Sequence, residues 1–360
     1  MLKEILEQRK LPELLRMNDG TPVMNAAQWP ARRRELLEIL QTYCYGITPP
    51  PVPVHGEVLK SDTKCNAGKA TQHSVKLTLD TPYGPYSYPL EVFLPKNRTD
   101  APLFLLINFR PDVPDRYFPV SEILDNGFAA AMLHYNDITP DKDDFTVGLA
   151  GLYIGDRERR PDEWGQLGMW AWGASRALDW LLTFGGFDPK RVYVTGHSRL
   201  GKTALWCAAQ DERFALGISN DSGCGGAALE RGKIGEHVQH IPGRWFCPNY
   251  KTYKDDIYAL PFDHHFVTAC CAPRCAYIAS AKEDCWADPH SEFLAALAAS
   301  PAFELCGLQG LVYPHDVFPT APATFHEGNV AYHLREGRHN LNLEDWNNFM
   351  DFADRQGWCR

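Results

Sequence analysis

Short apolar runs alternate with amphipathic stretches along this chain, and that alternation predicts most of its elements. "HSVKLTL" (73–79) and "YPLEVFLP" (88–95) alternate apolar and polar positions and predict strands, joined by the turn-prone "DTPYGPYS". "PLFLLINF" (102–109) is almost wholly apolar, as in a strand covered on both faces, and "GFAAAMLHY" (127–135) reads as another short buried element. "RVYVTG" (191–196), "ALGISND" (215–221), "RCAYIASA" (274–281) and "LVYP" (311–314) continue the series of strands. "WPARRRELLEIL" (29–40), "EWGQLGMWAWGASRALDWLLTF" (163–184), "DPHSEFLAALAAS" (288–300) and "LEDWNNFMDFADRQ" (343–356) read as helices. The second of these stops at Gly185-Gly186. Strands alternating with helices predict an α/β fold: a mostly parallel sheet with helices on both faces, in three layers. "YGITPPPVPV" (45–54) is a proline-rich bend, and the aromatic, irregular stretch from about 225 to 265 reads as an insertion or lid. No repeat or linker divides the rest, so residues 1–360 read as a single domain.

Composition narrows the classes without changing that picture. Apolar residues make up 44% and charged residues 22% of 360, as in an ordinary globular protein with a sizeable core. The net charge is −9, from 36 basic and 45 acidic residues, with no basic block, so nothing points to nucleic acid. No apolar run is long enough for a membrane span. The first twenty residues lack the apolar core of a signal peptide, which predicts a cytoplasmic location unless a leader precedes them. The 11 cysteines, "TACCAPRC" included, show no paired CxxC and no zinc spacing, and read as mostly reduced, buried thiols. A monomer is expected.

The candidate chemistry lies in "RVYVTGHSRLGKTALW" (191–206). A β-branched run stops at Gly196, Ser198 follows, and then a helix-prone segment begins. A serine on a sharp strand-to-helix turn is a nucleophile elbow, which lifts its hydroxyl above the carboxyl ends of the strands. The usual second glycine arrives one residue late, at Gly201, with Leu200 in the small position. A serine here could also merely cap the helix. A nucleophile needs a base, and the base needs an orienting carboxylate. Among late histidines, His339 follows a glycine-bearing turn and precedes the last predicted helix, the usual place for the base. His333 in "VAYHL" reads as packed, and His315 and His326 as surface residues. Two carboxylates can serve as the acid: Asp221, after "LGISN", and Asp284, after "AYIASA". Asp288 reads as a helix cap ahead of Pro289. Arg199 could add charge at an oxyanion hole or make a structural salt bridge, and Lys202 could be simply solvated. Trp286 could pack on a sugar face or fill core.

Together these segments resemble the glucuronoyl esterases, carbohydrate esterase family fifteen, of bacterial type. The signature G-x-S-R-x-G-K is met by Gly196, Ser198, Arg199, Gly201 and Lys202, which accounts for the late glycine. The likeness continues through "SNDSGCGGAAL", "WFCPNYKTY", "LPFDHH", "SAKEDCWADPHSEFLAA" and "HLREGRHNLNLEDW", and reaches the start in "LPELLRMNDGTPVMNAAQWP". The resemblance implies an α/β-hydrolase fold, no metal or organic cofactor, and cleavage of esters between (4-O-methyl-)glucuronic acid of glucuronoxylan and lignin alcohols. It implies Ser198 as nucleophile, His339 as base, Arg199 at the oxyanion hole, Lys202 on sugar hydroxyls and Trp286 in the sugar pocket. Trp245 is implied as a stacking residue from the lid. Many members carry glutamate 23 residues after the serine, where this chain has Asp221. Asp284 is therefore taken as the main triad acid, with Asp221 as a possible partner. Fungal members place cysteines beside the serine and histidine, and here those neighbours are His197 and Asn340. An acetylxylan or other carbohydrate esterase on the same fold, and a carbohydrate-binding protein with a weakened triad, stand as alternatives.

Overall fold

The computed structural model describes residues 1–356. Among these residues ten strands form one sheet: β1 Val54–Asp62, β2 Ala70–Thr81, β3 Gly84–Pro95, β4 Leu103–Asn108, β5 Ala129–His134, β6 Val192–His197, β7 Leu216–Asn220, β8 Cys275–Ala281, β9 Ala323–Phe325 and β10 Val330–Arg335. Their order is β1-β2-β3-β5-β4-β6-β7-β8-β10-β9. The six strands β5, β4, β6, β7, β8 and β10 run parallel, and the edges on either side are antiparallel. β4, β6, β7, β8 and β10 are buried at every position, which is why their sequences lack strict alternation. Helices Trp29–Leu40, Gln166–Phe184, Arg199–Gln210 and Pro289–Leu305 cover one face through a large apolar cluster, and Leu343–Arg355 covers the other through Trp346, Phe349 and Phe352.

Three features of the sequence reading need correction. Residues 311–314 form no strand: Leu311 instead donates its N–H to Ser300 Oγ at 2.8 Å, and Pro314 follows. β10, by contrast, is a full parallel strand. His333 breaks its apolar pattern, but is buried between Tyr277 Oη (2.8 Å) and Asp345 (2.9 Å). His326, expected at the surface, is 4% exposed and bonded to Tyr277 and Asp351. The stretch 225–265 carries only short helical turns, yet Phe246, Tyr250 and Phe262 belong to the main core and Asp263 accepts the backbone N–H groups of Glu230 and Arg231. That segment is therefore anchored at many points beside the sheet. Cys44, Cys207, Cys224, Cys247, Cys270 and Cys271 are buried free thiols. Among the described residues no helix is long and apolar enough to cross a membrane.

Candidate active site

The carboxyl ends of β6, β7, β8 and β10 lie side by side, and each delivers polar side chains to one place. β6 ends in the elbow. Ser198 has φ 58° and ψ −127°, a conformation L residues rarely adopt, and its N–H donates to Asn220 O at 2.8 Å. The glycines make that turn possible. A Cβ on Gly196 would stand 2.1 Å from the Leu200 carbonyl oxygen, and one on Gly201 would meet Asn220 O at 3.0 Å. The late glycine thus lets the elbow helix press on β7, while Leu200 points into the core.

Ser198, Arg199, Lys202, Asp221, Ser222, Glu236, Trp245, Asp284, Trp286, Ala287 and His339 line one cavity of about 350 Å³. All eight residues singled out from the sequence are among them. His339, in the loop between β10 and the last helix, has Nδ1 2.6 Å from Asp284 Oδ2. Asp284 is buried in the turn after β8, with Oδ1 accepting the Ala287 N–H at 3.2 Å. A neutral imidazole bonded this way has its proton on Nδ1 and its Nε2 lone pair free to take another.

Asp221 is placed differently. Its oxygens accept the Ala281 N–H (2.7 Å), the Asn340 N–H (3.2 Å) and Arg335 Nη2 (3.0 Å). Burial pushes its carboxyl well above the usual range, neighbouring Glu292 adds to the rise, and Arg335 opposes it. Ligand atoms of Asp221, Asp284 and His339 lie within 4.8 Å of one another, so these three could geometrically hold a cation. A cation there would compete with Arg335 for Asp221 and with the Nδ1 proton for Asp284.

Arg199 opens the elbow helix, so its N–H belongs to the helix's unpaired first turn. Its guanidinium is ion-paired to Asp141 and lies over the ring of Trp245, 4.6 Å from the centroid. The other oxygen of Asp141 accepts from Arg244 Nε and Trp245 Nε1, both at 2.8 Å. The salt bridge and the place at the cavity wall are thus two aspects of one arrangement. Lys202 is not solvated: its ammonium is buried against Glu236 Oε2 (2.7 Å) and the Cys224 carbonyl. Trp245 is buried, whereas Trp286 is 54% exposed at the rim, with the His240 ring 5.2 Å away. His197 packs 4.4 Å from the His339 ring, donating Nδ1–H to Asn220 Oδ1 at 2.6 Å. Burial first, then His339, holds His197 down at about 3, so it stays neutral beside the His339 ring.

Sequence reasoning missed Asp141, Glu236 and Arg335. Asp141 and Glu236 stand in irregular segments with no spacing signal, and only the cations they pair with, Arg199 and Lys202, mark them. Arg335 is signalled by "HLREGRHN" alone, four residues before the histidine.

A parallel sheet, a strained serine after the middle strand, and a histidine–aspartate pair after later strands define an α/β-hydrolase. A family model described as "Glucuronyl esterase, fungi" matches residues 87–307. A carbohydrate esterase from an unknown prokaryotic organism is 34% identical, over 96% of this chain and 89% of its own. The 4-O-methyl-glucuronoyl methylesterase of Phanerochaete carnosa is 27% identical, over 88% of this chain and 80% of its own. A solved glucuronoyl esterase from Solibacter usitatus superposes with a TM-score of 0.88 at 36% identity, covering 96% of this chain and 97% of that one. The chain belongs to the glucuronoyl esterase family, carbohydrate esterase family fifteen, and is a carboxylic ester hydrolase.

Proposed function

We propose that this protein cleaves the ester between (4-O-methyl-)glucuronic acid of glucuronoxylan and an alcohol of lignin, through an acyl-enzyme on Ser198. The observation that carries the reading is the 2.6 Å contact of His339 with Asp284 in the cavity lined by the strained Ser198. Ser198 Oγ attacks the uronate carbonyl carbon and passes its proton to Nε2 of His339. Asp284 stabilises the imidazolium. The oxyanion forms at the first turn of the elbow helix, where the Arg199 N–H and guanidinium supply fixed positive charge. The ester C–O bond breaks, the alcohol leaves with the proton from His339, and water repeats the attack to free the acid. Lys202, bonded to Glu236 inside the cavity, offers an ammonium to sugar hydroxyls, and exposed Trp286 offers a flat face to the ring.

Two measurements test this. Ser198→Ala should fold normally and lose about 10⁴-fold or more in kcat. The parent enzyme should turn over benzyl glucuronate faster than a simple acetyl ester. Near-normal turnover by a folded Ser198→Ala variant sinks the nucleophile assignment, and an acetyl preference sinks the uronate reading.

A further inference from the structure

Arg335 ends β10 and is 2% exposed, yet its whole guanidinium is engaged. Nε donates to Asp345 Oδ1 at 2.8 Å. Nη1 donates to the carbonyls of Glu336 (3.2 Å) and Arg338 (3.0 Å). Nη2 donates to the Asn340 carbonyl (2.6 Å) and to Asp221 Oδ2 (3.0 Å). The carbonyls immediately before and after His339 are thus held by one rigid plane. Asp221 closes the ring of contacts by accepting the N–H groups of Asn340 and of Ala281, the last residue of β8. The loop carrying His339 and the turn carrying Asp284 are therefore tied together from beneath.

Burying a guanidinium between two carboxylates costs desolvation that apolar packing would avoid, so stability alone is a poor account of it. Its five N–H donors in a fixed fork suit another task, which a lysine's ammonium cannot perform. The His339 loop has no regular backbone bonding, and the imidazole is 42% exposed. Something must hold it.

We propose that Arg335 is the positioning residue for the catalytic base, and that Asp221 acts as its hydrogen-bond partner and as the tie between the two loops. Asp221 thereby keeps a place near the triad without being the carboxylate that bonds the imidazole. This rests on the reading of Ser198, His339 and Asp284 as the triad.

The test compares Arg335→Lys, Asp221→Asn and Asp284→Asn with the parent, and uses His339→Ala as the control on the triad itself. Thermal melting, kcat and KM on benzyl glucuronate, and the low-field proton resonance of the His339 Nδ1–H are recorded for each. Arg335→Lys keeps the charge but cannot span five acceptors. It should lose about tenfold or more in kcat, as a small misplacement of a reacting group does. Its KM should stay within about twofold of the parent's. The Nδ1–H resonance should shift or broaden. Asp221→Asn should show the same pattern, more weakly than Asp284→Asn. A folded Arg335→Lys with the parent's kcat and resonance overturns the proposal. So does a variant that only melts earlier. If Arg335→Lys does not fold, Asp221→Asn decides alone: a loss of kcat with KM and melting kept supports the tie. Parent-like kcat, or a loss as deep as that of Asp284→Asn, overturns it. An active His339→Ala would instead remove the triad reading, and is distinguishable because it leaves no base to position.

Discussion

At Lys202 an ammonium sits almost wholly out of water, with Glu236 as its ionic partner and Trp245 alongside, 5.9 Å from the ring centroid. Removing it strands the Glu236 carboxylate in a partly buried place, so the loss has both a binding and a packing part. Lys202→Met should raise KM for a glucuronate ester while barely changing turnover of a small acetyl ester, which has no sugar hydroxyls to meet. Equal losses on both substrates would remove Lys202 from sugar recognition. Residues of this kind divide by what they leave in the sequence. Ser198 was legible because it follows a predicted strand and a glycine, and His339 because it follows a glycine-bearing turn ahead of the last predicted helix. Asp284 was legible because it follows the strand-like "AYIASA", and its length suits the contact it makes. Asp141 was not, because its role depends on Arg199 and Trp245 arriving from distant segments.

The helix Pro289–Leu305 packs beneath the site and carries a buried acid. Glu292 accepts the N–H groups of Ser222 (2.8 Å) and Gly223 (2.9 Å) with one oxygen and meets Ser280 Oγ (2.6 Å) with the other. Burial pushes it up to about 8 from an ordinary 4.5, against those hydrogen bonds. The folded value lies above the unfolded one. Its contribution to stability is therefore complete below about pH 4.5 and is lost as pH rises through 8. Glu292→Gln has nearly the same shape and no charge to desolvate. Its stability relative to the parent should grow by about 1.4 kcal/mol per pH unit across that window. Melting curves at pH 5 and pH 8 check this, and a difference independent of pH would refute it. Element by element, the apolar runs located the central strands, which are buried at every position. It passed over β10 because His333 and Arg335 are polar, and their satisfaction by Asp345 and Tyr277 is a tertiary fact. It overcalled 311–314 because an apolar pair before a proline looks like a strand end, while Leu311 is in fact pinned by Ser300.

Across the whole molecule, β6, β7, β8 and β10 stand next to one another, although the chain reaches them far apart. The parallel arrangement was legible from the strand–helix alternation. The antiparallel β1 and β9 at the two edges were not, since β1 is mostly exposed and β9 has three residues. One consequence of that strand order concerns time. β6 meets β4 only across the helix Gln166–Phe184, and β10 meets β8 only across Pro289–Leu305, and such distant parallel pairings form slowly because the chain closes a large loop before any contact repays it. His339 cannot face Ser198 until both pairings are made. In refolding from denaturant, burial of Trp170 and Trp206 in the core beside β4 and β6 should therefore run ahead of esterase activity, and activity that returned in step with the earliest fluorescence phase would contradict this. Enzymatic competence in this protein is a signal that both of these long-range pairings have been completed.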